Sequence, residues 1–95
     1  MNKRKKQKEE TVNDILRVSE DLFHEQGYEK TTIQNIAEHC GLSKGALYHH
    51  FRSKEEVLKR ICYRQYIYLK ETFLPIVEDS ELSMTEKLRR IMTIA

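Results

Sequence analysis

Turn residues are scarce in this chain, with three glycines and one proline in 95 residues. An all-β fold needs a turn about every 8–12 residues, so that class is excluded. Tryptophan is absent, and no apolar run reaches the roughly 18 residues that a membrane span requires. The charged first residues are followed by no apolar core segment, so no secretory leader is expected. Only two cysteines occur, Cys40 and Cys62, and they lack a CxxC spacing. Both read as small apolar residues in a reducing cytoplasm.

What is present suits a small helical protein. Hydrophobic residues make up 39% and charged residues 34%. That is enough for a modest helical core under a water-facing surface. The length fits one domain, or one domain and the start of another. The formal net charge of +2 hides an uneven distribution. Residues 1–8 carry Lys3, Arg4, Lys5, Lys6 and Lys8 with no acid. From Ser43 to Arg60, Lys44, Arg52, Lys54, Lys59 and Arg60 face only Glu55 and Glu56. Such islands attract polyanions without choosing between DNA, RNA and lipid headgroups.

The periodicity predicts five helices behind a flexible basic arm over residues 1–8. A solubilising tail is the other reading of that arm. Val12, Ile15, Leu16, Ser19, Leu22 and Phe23 form one stripe, giving a first helix from about Glu9 to Gln26. Gly27 is placed for a left-handed cap, and Tyr28 is expected to pack back on the stripe. Thr31 and Thr32 can cap a short second helix whose buried face is Ile33, Ile36, Ala37 and Cys40. Gly41 ends that helix and Leu42 plugs the turn. Ser43 caps a third helix running to about His50, with Leu47 and Phe51 buried.

Ser53 and Glu56 make a capping box for a fourth helix. It is expected to stop near Phe73, before Pro75. Its stripe is Val57, Leu58, Ile61, Gln65 and Leu69, with Tyr63, Tyr66 and Tyr68 on other faces. Its length reads as a connector. Ser83 and Glu86 open a fifth helix with Met84, Leu88, Ile91, Met92 and Ala95 apolar. The pattern breaks off at the end of the chain, which reads as the front part of a longer protein. The expected division is therefore a basic arm (1–8), a helical head (9–52), a connector (53–74) and the start of a further helical domain (80–95).

The second and third helices, joined by a glycine turn, make a helix-turn-helix arrangement. In that motif the second member enters the DNA major groove. Gly45 and Ala46 remove bulk, so the backbone can approach base edges, and Ala46 can touch a thymine methyl. Lys44 can donate to guanine O6 and N7. Tyr48 and His49 present donors to bases or phosphates. Lys54 combines a cation with the free amides of a helix start, and Thr32 offers a comparable phosphate contact. Each residue also has a plainer reading. Gly45 could be a tight helix contact, Tyr48 a core aromatic, Lys54 a solvated lysine. His50 could bond the backbone as readily as face DNA. The adjacent His49 and His50 point to different faces, and His24 and His39 add no ligand spacing. No metal or other cofactor is expected.

The run "TTIQNIAEHCGLSKGALYHHFRSKEEVL", residues 31–58, resembles the DNA-binding head of the TetR family of bacterial transcriptional regulators. The Thr-Thr-Ile start, the Ile-Ala pair, Gly41, the Leu-Tyr-x-His-Phe run and the Ser-Lys-Glu-Glu cap carry the likeness. It covers roughly Glu10 to Arg60, and the Gly27-Tyr28 turn fits it too. The resemblance implies an all-α fold: a three-helix head, a long connector, and a helical domain for ligand binding and dimerisation. It implies a cytoplasmic homodimer on a palindromic double-stranded DNA operator, most often a repressor released by a small molecule. Carried over, Lys44, Gly45, Ala46 and His49 would face bases. Thr32, Tyr48 and Lys54 would hold phosphates, with Gln34 and His50 as weaker candidates.

Two rivals stand beside that reading. One is a helical protein-interaction module of the same fold without operator binding, for which exposed Tyr63, Tyr66 and Tyr68 would serve. The other is an enzyme. The sequence offers it no nucleophile–base pair, no phosphate loop and no metal set, and Glu55 and Glu56 fall in a cap.

Overall fold

The structure, a computed structural model, describes residues 3–94. It is all-α, with five helices and no strand among the described residues. These are α1 (Lys3–Gln26), α2 (Ile33–Cys40), α3 (Lys44–His50), α4 (Lys54–Glu78) and α5 (Met84–Ile94). The chain divides into two compact units, the first reaching Ile61 and the second starting at Cys62.

The first unit holds the core. Ile15, Leu16 and Leu22 of α1 meet Ile36 and Ala37 of α2, Leu47 of α3, Phe51, and Val57 and Ile61 of α4. Val12, Val18, Phe23, Ile33, Cys40 and Leu42 pack around them. Spacings of three, four and seven put each set on one helix face, so three helices and the start of a fourth can share one apolar centre.

The turns follow from local chemistry. Gly27 adopts φ 89° and donates its N–H to Phe23 O at 3.0 Å, closing α1. Tyr28 folds back as expected, its ring 5.1 Å from that of Phe23. Only one of the two threonines caps α2. Thr32 Oγ1 accepts from Asn35 N–H at 3.0 Å, and Asn35 Oδ1 accepts from Thr32 N–H at 3.1 Å. Thr31 is buried instead, its hydroxyl donating to Gly27 O at 2.8 Å. Gly41 closes α2 at φ 70°, a left-handed conformation in which a Cβ is strained. Leu42 N–H then donates to Ala37 O at 2.9 Å and Gly41 N–H to Glu38 O at 3.2 Å. This double closure satisfies the last carbonyls of α2 and turns the chain sharply into α3.

Two sequence expectations are corrected. The basic residues 3–8 do not form a flexible arm: α1 begins at Lys3, six residues before the expected Glu9. Lys, Arg, Gln and Glu are all good helix formers, so a helix nucleated in the core propagates outward through them. Thr11 Oγ1 donates to Gln7 O at 2.9 Å and ties those turns to the rest. Met1 and Asn2, part of the same expected arm, lie outside the described residues.

The second correction is at Pro75, which does not stop the fourth helix but lies inside it. Pro75 removes one backbone bond and crowds the carbonyl four residues back. That cost falls on the turn before the proline, and only three residues follow it in α4. Lys87 Nζ donates to Val77 O at 2.6 Å, supplying a partner for one of the last carbonyls.

In the second unit, α4 continues and α5 follows a turn in which Glu81 N–H donates to Asp79 Oδ1 at 2.9 Å. Ser83 caps α5 as expected, accepting from Glu86 N–H at 3.2 Å. The Glu86 carboxylate does not complete a capping box. It accepts from Arg89 and Arg90, and those bonds hold it below the usual carboxylate range. The expected apolar stripes are present but exposed: Leu69 on α4, and Met84, Leu88 and Met92 on α5. Gln65 is likewise exposed. Ala95, the last member of the α5 stripe, lies outside the described residues.

Candidate nucleic-acid interface

The candidate surface is built on α3. Ser43 caps the helix in an extended conformation, its Oγ accepting from Ala46 N–H at 3.0 Å. Leu47 is wholly buried and anchors the helix. With Leu47 inward, Lys44, Gly45, Tyr48 and His49 are exposed and Ala46 is half-buried. The inward pull of one residue thus fixes which side of a seven-residue helix faces out.

Gly45 is the informative member. A Cβ built on it meets nothing within 4 Å, and it has no positive φ. The reading of Gly45 as a tight helix contact is therefore excluded. A glycine inside a helix costs about 0.5–1 kcal/mol relative to alanine. Nothing within the molecule returns that cost. Tyr48 is 44% exposed, which argues against a core aromatic.

The flanking residues are arranged unequally. Thr32 is exposed at the start of α2. Its oxygen accepts the capping bond, which leaves the hydroxyl proton to donate outward. Gln34 donates to Glu38 Oε1 at 2.9 Å, so its amide is tied along α2. Lys54 is turned into the molecule. Its Nζ donates to Tyr28 O at 2.8 Å and to Glu29 O at 3.3 Å. The same ammonium stands 4.3 Å from the centroid of the Tyr28 ring. This lysine is neither simply solvated nor turned wholly outward: it clamps the α1–α2 turn to the start of α4.

His50 is half-buried, with an Nδ1 that is buried and finds no partner. Its ring lies edge-on to that of His49 at 5.2 Å. Burial first, then the charges of His49 and Lys8, hold its pKa below the ordinary value. His50 therefore belongs more to the packing under α3 than to its outer face. Cys40 is half-buried and its thiol is pushed up, by burial and then by Asp14. No group of three or more His, Cys, Asp or Glu among the described residues is placed to hold a metal ion. No helix among them is long and apolar enough to cross a membrane.

The Lys54 clamp and the bonds from Gln26 Nε2 to Thr31 Oγ1 and Asn35 Oδ1 were not anticipated from the sequence. Their partners lie up to 26 residues apart, and no local pattern announces them.

Comparison with known proteins fits this geometry. Residues 15–61 match the family described as bacterial regulatory proteins, tetR family. The chain is 52% identical over 48 residues to the uncharacterised HTH-type transcriptional regulator YerO of Bacillus subtilis, covering 50% of this chain and 17% of that protein. It is 35% identical over 49 residues to the HTH-type transcriptional repressor KstR2 of Mycolicibacterium smegmatis, covering 52% and 24%. It is 30% identical over 69 residues to the transposon Tn10 TetC protein of Escherichia coli, covering 73% and 34%. In each case the chain spans about a third or less of the relative's length.

Proposed function

The chain belongs to the tetR family of bacterial regulatory proteins, and on that premise we propose that it is a sequence-specific DNA-binding transcriptional regulator. In this reading α3 enters the major groove. Lys44, Gly45, Ala46 and His49 face base edges, and Thr32 and Tyr48 hold phosphates. The observation that carries the reading is Gly45: a helical glycine in open space, costly to the fold and explained by close approach of an outside partner. The exposed Lys44 beside it supplies the donor for guanine. Lys54 acts chiefly by fixing the start of α4, with its third ammonium proton left for a phosphate.

The finer reading is a homodimer on a palindromic operator, acting as a repressor that a small molecule releases. Two heads would occupy successive major grooves about 34–36 Å apart. Ligand bound beyond this segment would tilt α4 and change that spacing, coupling the two sites. A relative named as a transcriptional repressor supports the sign of the regulation.

The test is enrichment of duplex DNA from a randomised pool at two salt concentrations. A reader of DNA sequence enriches a defined half-site. If each head neutralises three or four phosphates, a dimer gives a log–log salt slope of about −5 to −7. Absence of enrichment together with a flat salt response would overturn the reading.

A further inference from the structure

Resting on the DNA-binding reading above, we propose that Thr31 is a positioning residue for the DNA contact: it holds the Thr32 hydroxyl against its phosphate and links it to the first turn of α4. Thr31 is 1% exposed, so it touches no DNA itself. Its neighbour Thr32 is exposed and keeps a hydroxyl proton to donate.

The bonds around Thr31 join three helices. Its hydroxyl donates to Gly27 O, at the close of α1, over 2.8 Å. Its Oγ1 accepts from Gln26 Nε2 at 3.2 Å, and the same nitrogen reaches Asn35 Oδ1 at 3.4 Å. Asn35 holds Thr32 twice: its Oδ1 accepts from Thr32 N–H at 3.1 Å, and its own N–H donates to Thr32 Oγ1 at 3.0 Å. The hydroxyl assigned to a phosphate is therefore fixed by Asn35, and Asn35 is tied back to the end of α1 through Gln26. The third helix enters through one carbonyl. Tyr28 O accepts both Thr31 N–H, at 3.2 Å, and the Lys54 ammonium, at 2.8 Å.

A displacement of the first turn of α4 thus pulls on the peptide that also fixes Thr31. Hydrogen bonds weaken steeply with misalignment, and the phosphate is held in place by the duplex that α3 has entered. A small shift at Thr32 is enough to lose the contact. The connector helix gains a route to a DNA contact inside one head, in addition to the spacing between two heads.

The experiment measures the affinity of the 95-residue chain for a duplex enriched by the wild type, at a temperature where circular dichroism shows every variant folded. Thr31→Val keeps the shape of the buried side chain and removes its hydroxyl. It is expected to weaken binding about tenfold per head, with the base preference unchanged. Thr31→Ser, which keeps the hydroxyl, is expected to bind like the wild type. The deciding readout is a double-mutant cycle with Thr32→Gly, a change that removes the phosphate donor at small cost to the cap. On that background Thr31→Val is expected to cost no further affinity. Combined with Lys54→Met, it is expected to cost less than it does alone, because both changes loosen the Tyr28 peptide. A loss that recurs in full on the Thr32→Gly background, or no loss from Thr31→Val at all, would overturn the positioning role. Full additivity with Lys54→Met would overturn the link to α4. Failure of the wild type to bind any duplex would overturn the DNA-binding reading and this role with it.

Discussion

Lys54 reaches across 26 positions of sequence to place its ammonium 2.8 Å from the carbonyl oxygen of Tyr28 and 4.3 Å from the centroid of the same residue's ring. One side chain thus joins the turn after α1 to the first turn of α4. The hydrogen bond from a cation and the cation–π contact act on one geometry.

Lys54→Met is accordingly expected to destabilise the first unit by about 1–3 kcal/mol, read as a lower urea midpoint at unchanged slope. A lysine that served only as a phosphate contact would leave the midpoint where it is. DNA affinity is expected to fall as well, because the start of α4 loses its anchor.

Ser19 lies in the apolar stripe of α1, is wholly buried, and its Oγ finds no hydrogen-bond partner. A buried hydroxyl without a partner pays its desolvation with no return. Ser19→Ala keeps the backbone and improves helix propensity. It is expected to raise stability by about 1 kcal/mol in denaturant unfolding. A loss of similar size would mean that the hydroxyl is satisfied after all.

His50 gives a pH signature. Its pKa is lowered in the folded state, so the unfolded chain takes up the proton first as pH falls. Stability contributed by the neutral ring is present above the unfolded value of about 6.5 and is lost as pH drops through the depressed folded value. Unfolding midpoints are therefore expected to decline below about pH 6.5, and His50→Gln to flatten that decline. An equally steep decline in the variant would assign it to other groups.

Gly45→Ala is expected to stabilise the fold by about 0.5–1 kcal/mol, because the added methyl meets open space. Thermal unfolding reads this as an upward shift of several degrees for a unit of this size.

The head was legible in the sequence because its signals are local. Gly27 and Gly41 both take the positive φ expected of helix-closing glycines, and Ser43, Ser53 and Ser83 all accept the capping bond from three residues on. Residues 3–8 misled because a run of like charges suggests a solvated tail, whereas helix propensity and a neighbouring nucleus outweighed repulsion. Pro75 misled because its penalty, one lost bond and one crowded carbonyl in the turn before it, does not forbid a further helical turn. The role of Lys54 was hidden for a different reason. A capping position next to a serine fixes the backbone, but where a long side chain goes depends on Tyr28, whose position only the assembled core sets. Thr31 and Thr32 could not be separated by type; burial decided between them.

The most direct measurement is the DNA affinity of Gly45→Leu against the wild type, on a duplex enriched from a random pool, with thermal unfolding measured on the same samples. A Cβ at position 45 meets nothing within 4 Å in the free protein and leucine is a better helix former than glycine, so the fold is expected to hold or strengthen while affinity drops at least 100-fold. A folded Gly45→Leu variant that binds the enriched duplex as tightly as the wild type would contradict the placement of α3 against base edges.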